Sequence, residues 1–170
     1  MLSNPLIDLR LNVDFFEIKN QISENTKIIY SGPIDQFFDY KYGKLEWRTL
    51  DFKFERPMVS DYQGTSVMNY ADKKVEYTRI HEPHHLHLEN EKNMNQTLII
   101  KEYSKLDTTN NPYYPIPDQK NQLLSLKYRE LSNQLSTVYI CGRLGDYKYY
   151  DMHETISRAL EVYEKIKNEI

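Results

Sequence analysis

The chain has 170 residues, 22 lysines and arginines against 25 aspartates and glutamates, and a net charge of -3. That balance excludes binding to nucleic acid or anionic membranes by bulk positive charge. No apolar run approaches the roughly 18 residues of a membrane span, the residues after Met1 do not read as a signal peptide, and the lone Cys141 excludes an internal disulfide framework and suits a reducing, cytoplasmic setting. Residues 6–11 (LIDLRL) alternate imperfectly and predict a strand, and 27–30 (KIIY) a second one, ended by Ser31-Gly32-Pro33. Asp35 suits the start of a short helix or turn over 36–38, which Gly43 stops. Residues 47–54 (WRTLDFKF) predict a strand with Trp47, Thr49, Asp51 and Lys53 on one face and Leu50, Phe52 and Phe54 on the other. Residues 65–70 (TSVMNY), 75–80 (VEYTRI) and 97–103 (TLIIKEY) are rich in β-branched and aromatic side chains. Their short connections favour antiparallel pairing.

The last third changes character. Asp118 can cap a helix whose stripe runs Leu124, Tyr128, Leu131, Leu135. Residues 137–141 (TVYIC) form a continuous apolar run, as expected of a strand buried on both faces. Gly142 and a tyrosine-rich loop lead to a helix from about Met152, with Asp151 and Glu154 spaced as a capping box. Its stripe Met152, Ile156, Leu160, Tyr163, Ile166 is expected to pack on the rest. The predicted class is α+β: a central, mostly antiparallel sheet with a C-terminal strand-helix unit, divided as 1–30, 31–117 and 118–170. A buried terminal strand needs parallel neighbours, and only the opening strands are available for that.

Several groups carry chemistry. The segment 142–151 (GRLGDYKYYD) places a glycine turn, Arg143 and a helix N-terminus together, which suits a phosphate and equally an ordinary connection. Tyr113 and Tyr114 are stiffened between two prolines. Arg79, mid-strand on the side of Tyr77, needs a carboxylate or a phosphate. His81, His84, His85 and His87 lack a cysteine pair or an H-x-x-x-H spacing, so no metal is expected there. Cys141 reads as packing, Arg48 as packing or a surface ion pair, and no nucleophile motif is present. The 15 tyrosines call for an explanation.

Together, 29–35 (IYSGPID), 47–50 (WRTL), 62–64 (YQG), 67–70 (VMNY), 77–80 (YTRI), 112–116 (PYYPI), 142–145 (GRLG) and 149–152 (YYDM) resemble, in order and spacing, the C-terminal part of bacterial UDP-galactopyranose mutases. The resemblance implies a cytoplasmic flavoprotein isomerase that interconverts UDP-galactopyranose and UDP-galactofuranose for cell-surface glycans such as lipopolysaccharide. Reduced FAD acts there as a covalent catalyst without net redox. It implies that Asn69, Arg79, Tyr114 and Tyr149 bind UDP-galactose, with Arg79 and the tyrosines near the diphosphate. It also implies that Arg143 contacts the flavin and that Tyr150, Asp151, Met152, His153, Glu154 and Thr155 lie against FAD. The family usually has Leu where Tyr150 stands and Asp where His153 stands. The family's Gly-rich nucleotide-binding unit and helical clamping domain have no counterpart in this sequence. The chain alone is therefore expected to be inactive, to hold FAD weakly, and to associate with itself or with a separate FAD-domain chain. The alternative is a non-catalytic α+β module for a phosphate or nucleotide sugar.

Overall fold

The computed structural model describes residues 2–87 and 95–169. Two sheets organise it. In the smaller, β1 (Ile28–Tyr30) runs parallel to β7 (Val138–Ile140), with Tyr30 opposite Ile140. The larger is a five-stranded antiparallel sheet in the order β3 (Val67–Asn69), β4 (Arg79–His81), β5 (Ile99–Leu106), β2 (Trp47–Glu55), β6 (Tyr114–Pro115). Five helices accompany them: α1 (Phe15–Ile18), α2 (Ile34–Phe37), α3 (Gln119–Ser132), α4 (Gly142–Gly145) and α5 (Met152–Asn168). The class is α+β, as the sequence predicts.

The core lies between the small sheet, α2, α3 and the start of β2: Tyr30, Ile34, Leu45, Trp47, Tyr128, Ile140 and Tyr147 are buried together. Its tyrosines join segments by their hydroxyls. Tyr128 Oη donates to Gly43 O at 2.7 Å and accepts from Tyr42 N at 2.9 Å. Tyr147 Oη donates to Glu46 O at 2.5 Å and accepts from Ile116 N at 3.0 Å. Burial pushes the Tyr147 phenol up to about 12, so it stays a donor. Much of the tyrosine excess is structural: a ring fills the core while its hydroxyl satisfies loop backbone.

Three expected elements differ. Residues 6–11 are not a strand, and Leu6 is 92% exposed; a strand needs a partner, and among the described residues none lies beside this segment. The strand expected over 75–80 begins only at Arg79, because Asp72 organises a turn that accepts from Val75 N at 3.0 Å. The apolar stripe of α5 does not pack inward. Met152, Ile156, Leu160 and Tyr163 are exposed, and the helix touches Tyr139 and Cys141 through Val162 and Ile166 at the stripe's edge.

Asp35 is the second residue of α2 rather than its cap, which is Pro33. The side chain is buried; Oδ2 accepts from Leu45 N at 2.8 Å and Oδ1 has no partner. Burial raises its pKa, against the pull of the Leu45 and Gln36 N–H groups and of Lys44. A carboxyl raised in this way holds more protons folded than unfolded just above its ordinary pKa, so stability falls as pH rises through that window. Asp35→Asn should therefore be more stable than the parent at neutral pH and lose that advantage near pH ~4, where the unfolded carboxyl is also protonated. Urea midpoints at the two pH values test this, and an Asn variant that is weaker at neutral pH would contradict it.

Candidate functional site

Cross-strand partners in a ladder point to the same side of a sheet, and so do residues four apart along one strand. Asn69 faces Arg79, Arg79 faces Glu102, and Glu102 faces Phe52. Four positions before Phe52 in β2 is Arg48, which faces Tyr114 on β6. Asn69, Arg79, Arg48 and Tyr114 thus share one face, opposite the buried Trp47 and Thr49. Arg79 Nε donates to Asn69 Oδ1 at 2.8 Å, and Nη1 stands 3.7 Å from the buried Glu102 carboxylate. Arg48 is tied to Ser104, with Nε to Oγ at 2.7 Å and Nη2 to O at 2.8 Å. Three strand-to-strand steps separate β4 from β6, about 14 Å across an unrolled sheet. The polar groups form a strip rather than a point.

Tyr149 reaches this strip from the loop between α4 and α5. Its ring stacks on Tyr114 at 5.7 Å with 28° between planes. Arg143, in α4, sets its guanidinium carbon 4.6 Å above Tyr149 and 5.7 Å from Tyr114, and Nη2 donates to Tyr113 O at 3.4 Å. Its Nε is buried without a partner. Beside it opens a cleft of about 800 Å³ lined by Arg143, Tyr149, Tyr150, Asp151, Met152, His153 and Ile156. Glu154 and Thr155 turn away from this cleft. Glu154 Oε2 accepts from Asp151 N at 2.9 Å in the capping box, and Thr155 Oγ1 donates to Asp151 O at 3.1 Å.

The loop is held by Asp146, whose side chain is 2% exposed. Its carboxylate accepts from Arg158 Nε at 3.0 Å, Arg129 Nη1 at 3.2 Å, Gly142 N at 3.1 Å and Tyr150 Oη at 3.1 Å. Burial and the Asp146 carboxylate raise the Tyr150 pKa, so this phenol keeps its proton. Gly142 opens α4 at φ +85, a backbone region that other residues enter at a cost.

The structure thus gathers Asn69 with Arg79, and Tyr114 with Tyr149 and Arg143. It keeps the two groups at opposite edges of the sheet, although Arg79 and both tyrosines were expected near one diphosphate. Sequence reasoning missed Asp146, and it did not place Arg48 on the face of Arg79. Strand alternation would have placed Arg48 on the face of Leu50 and Phe52. Asp146 leaves no such trace, because its arginines come from two separate helices.

A sheet face bearing arginine, asparagine and tyrosine beside a capped helix N-terminus defines an α+β domain with a polar face whose chemistry suits an anion. Comparison with known proteins shows which kind. The chain belongs to the UDP-galactopyranose mutase family, a family of isomerases, whose family model matches residues 1–149. It is 36% identical over 165 residues to a Klebsiella pneumoniae protein named "Probable UDP-galactopyranose mutase", covering 96% of this chain and 42% of that one. It is 36% identical over 166 residues to the dTDP-fucopyranose mutase of Escherichia coli, covering 95% and 44%. The UDP-galactopyranose mutase of Mycoplasma pneumoniae is 32% identical over 188 aligned positions, covering 98% and 44%. The chain therefore spans less than half the length of these relatives. Tyr150 to Thr155 lie beyond the family match. Among the described residues no helix is long and apolar enough to cross a membrane.

Proposed function

We propose that this chain is the substrate-facing part of a flavin-dependent mutase that interconverts UDP-galactopyranose and UDP-galactofuranose, and that it is silent without the part carrying the rest of the FAD site. The single sheet face shared by Asn69, Arg79 and Tyr114, next to the Arg143–Tyr149 pair, carries the reading. An extended nucleotide sugar suits such a strip. Arg79 keeps one side of its guanidinium for the charge that grows on the nucleoside diphosphate as its bond to the sugar breaks. Tyr114 and Tyr149, at the other end of the strip, offer phenolic O–H donors that reach toward the same diphosphate from the far side and hold it for its return. Asn69 fixes the direction of Arg79 through the 2.8 Å bond.

The residues of the cleft suit a flavin edge: tyrosine rings and the apolar Met152 and Ile156 for a flat ring, and the unpartnered Arg143 Nε for a polar rim atom. Reduced FAD, when bound, supplies the nucleophile for the anomeric carbon. In this reading Arg143, Tyr150, Asp151, Met152 and His153 line the ring, while Glu154 and Thr155 support it by holding the helix cap. The chain has no Gly-x-Gly-x-x-Gly segment for the FAD pyrophosphate. The exposed stripe of α5 favours association with an FAD-carrying partner, or with a second copy, over action as a lone module. The lone buried Cys141 fits a cytoplasmic enzyme feeding cell-surface glycan synthesis. UDP-galactose is preferred to dTDP-fucose because the family match and the Mycoplasma relative carry that name; a diphosphate and a pyranose ring are common to both.

The purified chain should carry far less than one flavin and show no turnover with dithionite. Coexpression with an FAD-carrying segment of a family member should restore conversion of UDP-galactofuranose, measured by chromatography beside dTDP-fucofuranose. Near-stoichiometric flavin on the chain alone, or no conversion of either sugar after complementation, would overturn the reading.

A further inference from the structure

One cluster outside the sheet face brings metal-ligating side chains together. The ligand atoms of Glu82, His84 and His85 all lie within 4.8 Å of one another. Glu82, just after β4, is fully buried and accepts backbone N–H groups from Tyr62 at 2.9 Å and Gln63 at 3.0 Å, one on each oxygen. Those bonds, with a third from the Thr97 hydroxyl, fix the carboxylate and leave it one lone pair for a further partner. The 3₁₀ turn Pro83–Leu86 then sets His84 Nδ1 3.4 Å from Oε1 and His85 Nε2 3.5 Å from Oε2. Asp61 adds Oδ1 at 3.3 Å from His85 Nε2.

These separations are long for N–H···O hydrogen bonds. They are close to the ligand–ligand spacing, about 3.3–3.4 Å, around a four-coordinate ion held at ~2.0–2.1 Å. His85 Nε2 is buried and, among the described residues, makes no well-formed hydrogen bond. The imidazoles stack at 3.9 Å, which sets both rings beside the one carboxylate.

We propose that Glu82, His84 and His85 bind one zinc ion and that Asp61, which reaches His85, swings in to close the set, a structural site distinct from the substrate face. Two imidazoles and two carboxylates are borderline-hard donors that zinc accepts in a closed four-coordinate set. Thr97, whose hydroxyl lies 3.0 Å from His84 Nδ1 and also bonds Glu82, becomes an outer partner of the carboxylate. The ion would pin the 61–64 turn to the end of β4, the strand that carries Arg79. The proposal departs from the expectation of a metal-free segment, which rested on histidine spacing and did not weigh the neighbouring carboxylates.

The test uses the tag-free full chain, stripped with EDTA and titrated with Zn²⁺ against a chromophoric chelator. One equivalent should bind, and thermal unfolding should shift upward with Zn²⁺ and back with EDTA. His85→Ala and Asp61→Asn should each weaken binding at least about tenfold, and His153→Ala should not. Asp61→Asn retains the Oδ1 acceptor for Gly64 N (2.7 Å), so its loss of affinity reports a ligand rather than a broken turn. Binding too weak to compete with the chelator, or equal affinity in parent, His85→Ala and Asp61→Asn, would overturn the site.

Discussion

Arg79→Ala, assayed in the complemented enzyme, is expected to lower kcat for UDP-galactofuranose about 10²–10³-fold, the usual cost of removing a donor aimed at developing charge. The guanidinium is anchored on one side by Asn69 at 2.8 Å and only loosely by Glu102 at 3.7 Å. Its remaining N–H groups are free to follow the diphosphate. Arg48→Ala should cost much less, although Arg48 shares the face, because Ser104 already takes two of its donors at 2.7 and 2.8 Å. An exposed guanidinium committed in that way contributes under about 1 kcal/mol. Arg79→Lys should recover part of the loss, since it restores charge without the planar fork. Equal losses for Arg79→Ala and Arg48→Ala, with both variants folded, would remove Arg79 from its assigned role.

Asp146→Ala should destabilise the chain by about 3 kcal/mol, the low end of the cost of breaking a buried ion pair. The low end applies because the side chains of Arg129 and Arg158 are 43% and 28% exposed, and water screens part of what they lose. The carboxylate's bonds to Gly142 N and Tyr150 Oη vanish as well. The hydrogen bond to Asp146 raises the Arg158 pKa, in keeping with the 3.0 Å contact. Asp146→Asn keeps an acceptor and should lose less. Urea denaturation of the three proteins decides the matter. A loss below about 1 kcal/mol for the alanine variant would mean a screened surface network that does not hold the Arg143 loop.

Local signals in the amino-acid order were enough for the elements whose stabilising contacts are local or whose pattern is strict. Asp118 caps α3 by accepting from Asn121 N at 2.7 Å, and Asp151 with Glu154 closes the box at the start of α5. Alternation located β2, and the unbroken apolar run located β7, which pairs with β1 as a buried strand requires. Ordered short motifs carried the family. What tertiary structure decided was everything that depends on a distant partner. Residues 6–11 have a strand-like pattern and, among the described residues, no strand beside them to complete their hydrogen bonds. The periodicity of α5 announces an apolar stripe, but only packing shows that its edge, Val162 and Ile166, meets Tyr139 and Cys141 while Met152 to Tyr163 stay open. Asp146 gathers arginines from α3 and α5, and Asp61 meets His85 from a turn far back in the chain. Ion pairs and coordination depend on distance through space, and a chain whose segments meet after folding does not write those distances into its local order.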